Sequence, residues 1–105
     1  MSGKSRMQQI EEMLAEEPND PFLRYGLAME FISQGDDEGA VRSFLELFQV
    51  DPNYVPAYLQ MSQAYIRIGK TGEARAMLTN GIAVAKQAGD LHAAEEMHGF
   101  LAGLG

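Results

Sequence analysis

Residues 35–53, GDDEGAVRSFLELFQVDPN, decide the fold, because their pattern recurs thirty-four residues downstream. Gly35 answers to Gly69, Glu38 to Gly72, Ala40 to Ala74 and Phe44 to Leu78. Upstream, the same offset pairs Pro18-Asn19 with Pro52-Asn53, Leu27 with Met61, Ala28 with Ser62, and Phe31 with Tyr65. A period of this length containing two helical stretches describes a hairpin that cannot bury its apolar face alone and stacks on a neighbour.

The stretches between the matched positions read as helices. In residues 4–17, Met7, Ile10, Met13 and Leu14 recur at helical spacing, and Pro18 ends the segment by excluding the α region from its predecessor. Asp20 is placed to cap the next helix, with Pro21 in its first turn, where a missing N–H costs nothing. Residues 21–34 carry two apolar stripes at about 100° per residue. Leu27, Ala28 and Phe31 form one; Phe22, Tyr25, Met29 and Ile32 form the other. Gly35 closes this helix, and Asp36, Asp37 and Glu38 sit where the positive end of the next helix dipole favours anions. That helix shows Ala40, Val41, Phe44, Leu45, Leu47 and Phe48 on a broad apolar face.

The second period repeats the scheme. Residues 55–68 place Tyr58, Met61, Ser62 and Tyr65 on a core stripe, and Leu59, Gln63, Ile66 and Arg67 on another. After a turn at Gly69 to Gly72, a helix from about Glu73 to Ala88 turns Ala74, Leu78, Ile82 and Ala85 inward. It runs past Lys86, where the earlier period has Pro52, and is therefore about one turn longer. Gly89-Asp90 separates it from a last helix striped with Leu91, Ala94, Met97 and Leu101.

Composition narrows the function. The 105 residues include no cysteine, which removes disulfides, thiolate metal sites and cysteine nucleophiles together and fits a cytoplasmic protein. No segment reaches the roughly 20 apolar residues that span a bilayer, and no apolar run follows the early cations as in a signal peptide. Net charge is −7, and the excess lies in the first half. Residues 1–54 hold four cations and eleven anions, whereas residues 55–105 hold four of each. Nucleic-acid binding, which uses a basic face, is disfavoured.

On these residues the chain resembles the tetratricopeptide repeat family. The family pattern places an aromatic or large residue, a large–small pair and an aromatic on the first helix, then alanine, a bulky residue and a small residue on the second, with proline at the exit, where the second repeat has Lys86. In the second repeat these are Tyr58, Met61-Ser62, Tyr65, Ala74, Leu78 and Gly81, and in the first Leu27-Ala28, Phe31, Ala40, Phe44 and Pro52. Arg24 and Leu47 depart from it, standing where a large and a small residue are usual. The resemblance implies an all-α, right-handed solenoid of about six helices in one domain. Its parts are an N-terminal capping helix (4–17), repeats at 21–54 and 55–88, and a C-terminal capping helix (90–103).

Members of the family generally bind peptides or helices in a groove lined by the first helix of each repeat. Carried over, that groove comprises Phe22, Tyr25, Met29, Ile32 and Ser33, then Leu59, Gln63, Ile66 and Arg67. The second stripes, unused in closing the hairpins, give the same surface. An alternative use for Phe22, Tyr25 and Met29 is packing under the N-terminal helix. The family's grip on a C-terminal carboxylate needs asparagines and lysines, but Tyr25, Met29, Leu59 and Gln63 hold the matching positions. Arg67 is the only cation there, so an apolar or amphipathic protein ligand is expected.

His92 and His98 flank Glu95 and Glu96, but six residues separate the histidines, which therefore do not face each other as a metal pair. No nucleophile–base pairing and no phosphate-binding glycine loop stands out, so neither catalysis nor a cofactor is expected. The expected activity is that of a protein-interaction module. The alternative is a homodimer or scaffold that buries the same apolar surface.

Overall fold

The computed structural model describes residues 3–104, which form six α-helices and, among the described residues, no strand. Helices α1 (Arg6–Glu16), α2 (Pro21–Ser33) and α3 (Asp37–Val50) make one compact unit, ending at Pro52. Helices α4 (Val55–Arg67), α5 (Thr71–Gln87) and α6 (Leu91–Gly103) make a second, starting at Asn53.

Side chains set most of the helix starts. Ser5 caps α1 in a reciprocal box: its hydroxyl accepts from the Gln8 N–H at 3.1 Å, and the Gln8 side chain accepts from the Ser5 N–H at 2.8 Å. Asp20 accepts from the N–H groups of Phe22 and Leu23, with Pro21 behind it as expected. Asp36 accepts from Gly39 N–H, and Asp90 from Ala93 N–H. Helix α5 begins at Thr71, two residues before the expected Glu73. The Lys70 carbonyl already accepts from Ala74 N–H at 3.0 Å, so Thr71 and Gly72 belong to its first turn.

Three reversals share one closure. Gly35, Gly69 and Gly89 have φ of 78°, 81° and 79°, in the left-handed region where a side chain is strained. Each glycine N–H bonds the carbonyl three residues back, and the following N–H reaches five residues back: Asp36 to Phe31, Lys70 to Tyr65, Asp90 to Ala85. The helix is capped and the chain already turned within three residues.

In the first unit, α2 packs on α3 through Ala28 against Ala40, Phe44 and Leu47, all fully buried. The Tyr25 ring joins them, tilted 54° to Phe44 at 6.2 Å between centroids. Ile10 and Leu14 seat α1 on α2, and Arg6 reaches Glu30 at 3.1 Å across the same contact. In the second unit α5 lies between two partners, meeting α4 through Met61, Ala74 and Leu78 and α6 through Ala94 and Met97. The buried Ser62 hydroxyl donates to the Tyr58 carbonyl at 2.7 Å, which satisfies it within its own helix.

The apolar stripes are not buried throughout. Leu91, Leu45 and Met13 were expected on buried faces but stand 64%, 48% and 46% exposed. Leu91 is the first residue of α6, whose contact with α5 starts a turn later at Ala94. Leu45 lies about 100° around the helix from Phe44, off the face that meets α2. Met13 belongs to a helix packed mainly on one neighbour, which cannot cover a four-residue stripe.

Repeat equivalence explains the two departures from the family pattern. A Cβ on Gly81 would lie 2.7 Å from Tyr58 Cβ and 2.6 Å from Met97 Sδ, so α4 and α6 both close on this glycine. The equivalent facing positions in α2 and α3 are Arg24 and Leu47. Arg24 turns aside, its Nε donating to the Pro18 carbonyl at 2.8 Å and its Nη1 meeting Glu46 at 3.0 Å. Leu47 is fully buried in its place. With Arg24 turned aside, the buried bulk at this contact comes from Leu47 on the second helix.

Two outcomes are expected. Gly81→Ala should cost about 1–3 kcal/mol in urea unfolding despite alanine's better helix propensity, because the added methyl has no space. The second concerns Tyr65, whose phenol pKa is raised from 10.0, first by burial and then by the nearby Glu73 carboxylate. Its contribution to stability is complete below the unfolded pKa of 10.0 and is lost as pH rises through the higher folded value. Thermal melts across that alkaline window should flatten in Tyr65→Phe relative to the parent chain.

Candidate functional site

In the second unit, helical spacing gives α6 a second stripe besides the one buried on α5. Glu96, Gly99, Phe100, Gly103 and Leu104 stand at i, i+3, i+4, i+7 and i+8 and therefore share a face. With Ile66 of α4 they line an open, mainly apolar hollow of about 420 Å³. Phe100 is 39% exposed on its wall. A Cβ on Gly99 or Gly103 would meet nothing within 4 Å, so the two glycines leave the floor of the hollow low without serving any contact inside the chain. The C-terminal end of this face is tied back by Arg75, whose guanidinium donates to the Leu104 carbonyl at 3.3 Å. Glu96 is the charged member of the lining.

Of the four α4 residues read from sequence as groove-lining, Ile66 takes part in this hollow. Leu59 and Gln63 are half-buried on the same helix, and Arg67 is exposed. On α2, Met29 and Ile32 are half-buried and Ser33 is exposed. Tyr25 is engaged with Phe44 in the α2–α3 core.

Phe22 is placed differently. It stands 70% exposed beside α1 rather than beneath it. With Leu23 and Gly26 of α2, and Arg6, Gln9, Ile10 and Met13 of α1, it lines a second hollow of about 220 Å³. A polar recess in the same unit, lined by Asn19, Arg24, Glu46, Gln49 and Val50, is crossed by the Arg24–Glu46 ion pair.

The participation of α6 and α1 was missed in the sequence because each was read as a cap with one inward stripe. The α6 signal was present: Phe100 is an aromatic outside the inward stripe, bracketed by glycines one turn apart. His92 and His98 are exposed on α6. Among the described residues no group of three or more histidine, cysteine or acidic side chains is gathered to hold a metal ion. No helix among them is long and apolar enough to cross a membrane.

Comparison with known proteins agrees with the helical architecture. Two family models, both described as tetratricopeptide repeat, match residues 2–56 and residues 55–88. The TPR repeat-containing protein PA0015 of Pseudomonas aeruginosa is 32% identical over 92 residues, which is 88% of each chain. A crystal structure of a tetratricopeptide repeat domain protein from Salinibacter ruber superposes with a TM-score of 0.75 at 32% identity, covering 81% of this chain and 94% of that one. The solution structure of protein BPP2914 from Bordetella parapertussis gives a TM-score of 0.84 over 96% of this chain and 88% of that one; at 24% identity it supports the fold alone. With its thirty-four-residue period, its glycine-closed hairpins and these matches, the chain belongs to the tetratricopeptide repeat family.

Proposed function

We propose that the chain is a non-catalytic protein-interaction module that takes a peptide or an amphipathic helix against the first helices of its repeats. Tetratricopeptide repeats generally mediate protein–protein interaction, which supports the broad reading. The finer reading rests on the hollow between α4 and α6. An apolar concavity of about 420 Å³ accommodates one or two large side chains, and its glycine floor lets a ligand backbone come close. On this reading α4 offers Leu59, Gln63, Ile66 and Arg67 to the ligand. Helix α2 offers Phe22, Met29, Ile32 and Ser33 in the same role, beside Tyr25, whose ring is held against Phe44. Apolar anchors set in a concave helical face are the usual requirement for helix-in-groove recognition.

The test uses peptides selected against the chain from a displayed library. Amide shifts on titration should move in α4 and α6. Ile66→Glu should weaken binding ten- to a hundredfold, since removing a buried aliphatic anchor costs roughly 1.5–3 kcal/mol. Its melting midpoint should move little, because Ile66 is only half-buried. Undiminished affinity in Ile66→Glu, or shifts confined to other helices, would refute the site.

A further inference from the structure

The hollow between α1 and α2 is unlike the first, because the same face carries both a hole and the side chains to fill one. Phe22 is 70% and Met13 46% exposed, and they border an unfilled recess of about 220 Å³. Gly26 forms part of its lining from mid-helix, where glycine is a poor choice for stability. The fold does not require it: a Cβ at residue 26 would meet only Ile10 Cδ1, at an ordinary 3.6 Å. In Gly81 the internal packing explains the missing side chain, whereas in Gly26 it does not.

Charge along α1 points to the occupant. Arg6, Gln9, Met13 and Glu16 fall within about 80° of one another around the helix and so share a face. That face has a cation at its first turn, polar and apolar residues in the middle, and an anion at its last. Turned end for end about a point near Glu11, it matches itself: Arg6 meets Glu16 and Gln9 meets Met13. Arg6 keeps most of its guanidinium in solvent while paired with Glu30, so it can serve a second carboxylate. The ion pair between Lys4, which precedes α1, and Glu12 of α1, at 2.8 Å, lies off this stripe.

We infer that the α1–α2 face binds a second copy of this chain, with the two α1 helices antiparallel across a two-fold axis. A knob beside its own hole is the condition for such a contact, since each copy supplies both halves. Helix α1 has 11 residues and is therefore about 16 Å long. A contact of that length is small beside the ~1,200 Å² at which specific complexes become standard in size, so a reversible dimer is expected. This inference does not rest on ligand binding at α4 and α6; the two readings share Phe22, which the dimer would cover.

Sedimentation of the full chain across a concentration series tests it. The weight-average mass should rise towards that of a dimer. Glu16→Lys alone and Arg6→Glu alone should each weaken self-association at least tenfold, by placing like charges opposite each other. Mixing the two variants should restore a heterodimer, because both cross-axis pairs are then again opposite in sign. Gly26→Ala should raise the melting midpoint by roughly 4–8 °C while weakening the dimer several-fold, two effects that simple destabilisation cannot produce together. A chain monomeric up to about 1 mM would overturn the inference. So would a dimer that tolerates Glu16→Lys and Gly26→Ala, a mixture that stays monomeric, or a dimer that Ile66→Glu disrupts.

Discussion

Everything in this structure depends on reversing the chain quickly enough for consecutive helices to lie against each other. An apolar stripe on a helix of 13 to 17 residues stabilises nothing until another stripe covers it. At Gly35, Gly69 and Gly89 the cover comes from the helix that immediately follows. The left-handed glycine ends one helix and satisfies its last carbonyls. At two of the three, the next residue is an aspartate that starts the new helix, Asp36 and Asp90. At the third, Lys70, the backbone alone suffices, which is why α5 begins earlier than side-chain caps would suggest.

The fold was legible because its determinants are local and repeated. A thirty-four-residue offset, glycine at each hairpin turn and aspartate or proline at helix starts all act within a few residues of where they are read. The inward stripes of α4 and α5 were likewise readable, since Met61, Ser62, Ala74 and Leu78 recur at helical spacing and align with Leu27, Ala28, Ala40 and Phe44 of the first period. The fates of Leu45, Met13 and Leu91 were not readable. Which third of an apolar face is covered depends on where the neighbouring helix crosses, and spacing within one helix says nothing of that.

The candidate surfaces show the same division. Ile66 was identified from the second stripe of α4, but its surroundings come from α6, thirty residues or more away in sequence. Tyr25 shared a stripe with Phe22 and Met29, yet its ring lies against Phe44 while Phe22 stands open to solvent. A stripe is a direction, and at its edges a long aromatic side chain reaches either way. The glycines divide similarly. Gly81, Gly26, Gly99 and Gly103 look alike in sequence, but only Gly81 is pressed on from both sides.

The exchange of Tyr58 and Gly81 for Arg24 and Leu47 means that the two hairpins, though written on one template, are not interchangeable parts. Each is a matched lock whose bulky half sits on a different helix. A chimera joining α2 to α5 would set Arg24 opposite Gly81 and leave a void, and one joining α4 to α3 would force Tyr58 against Leu47. Recombination that keeps whole hairpins respects this pairing, whereas recombination inside a hairpin violates it. The unit of inheritance in such a chain is therefore the closed pair of helices rather than the single helix.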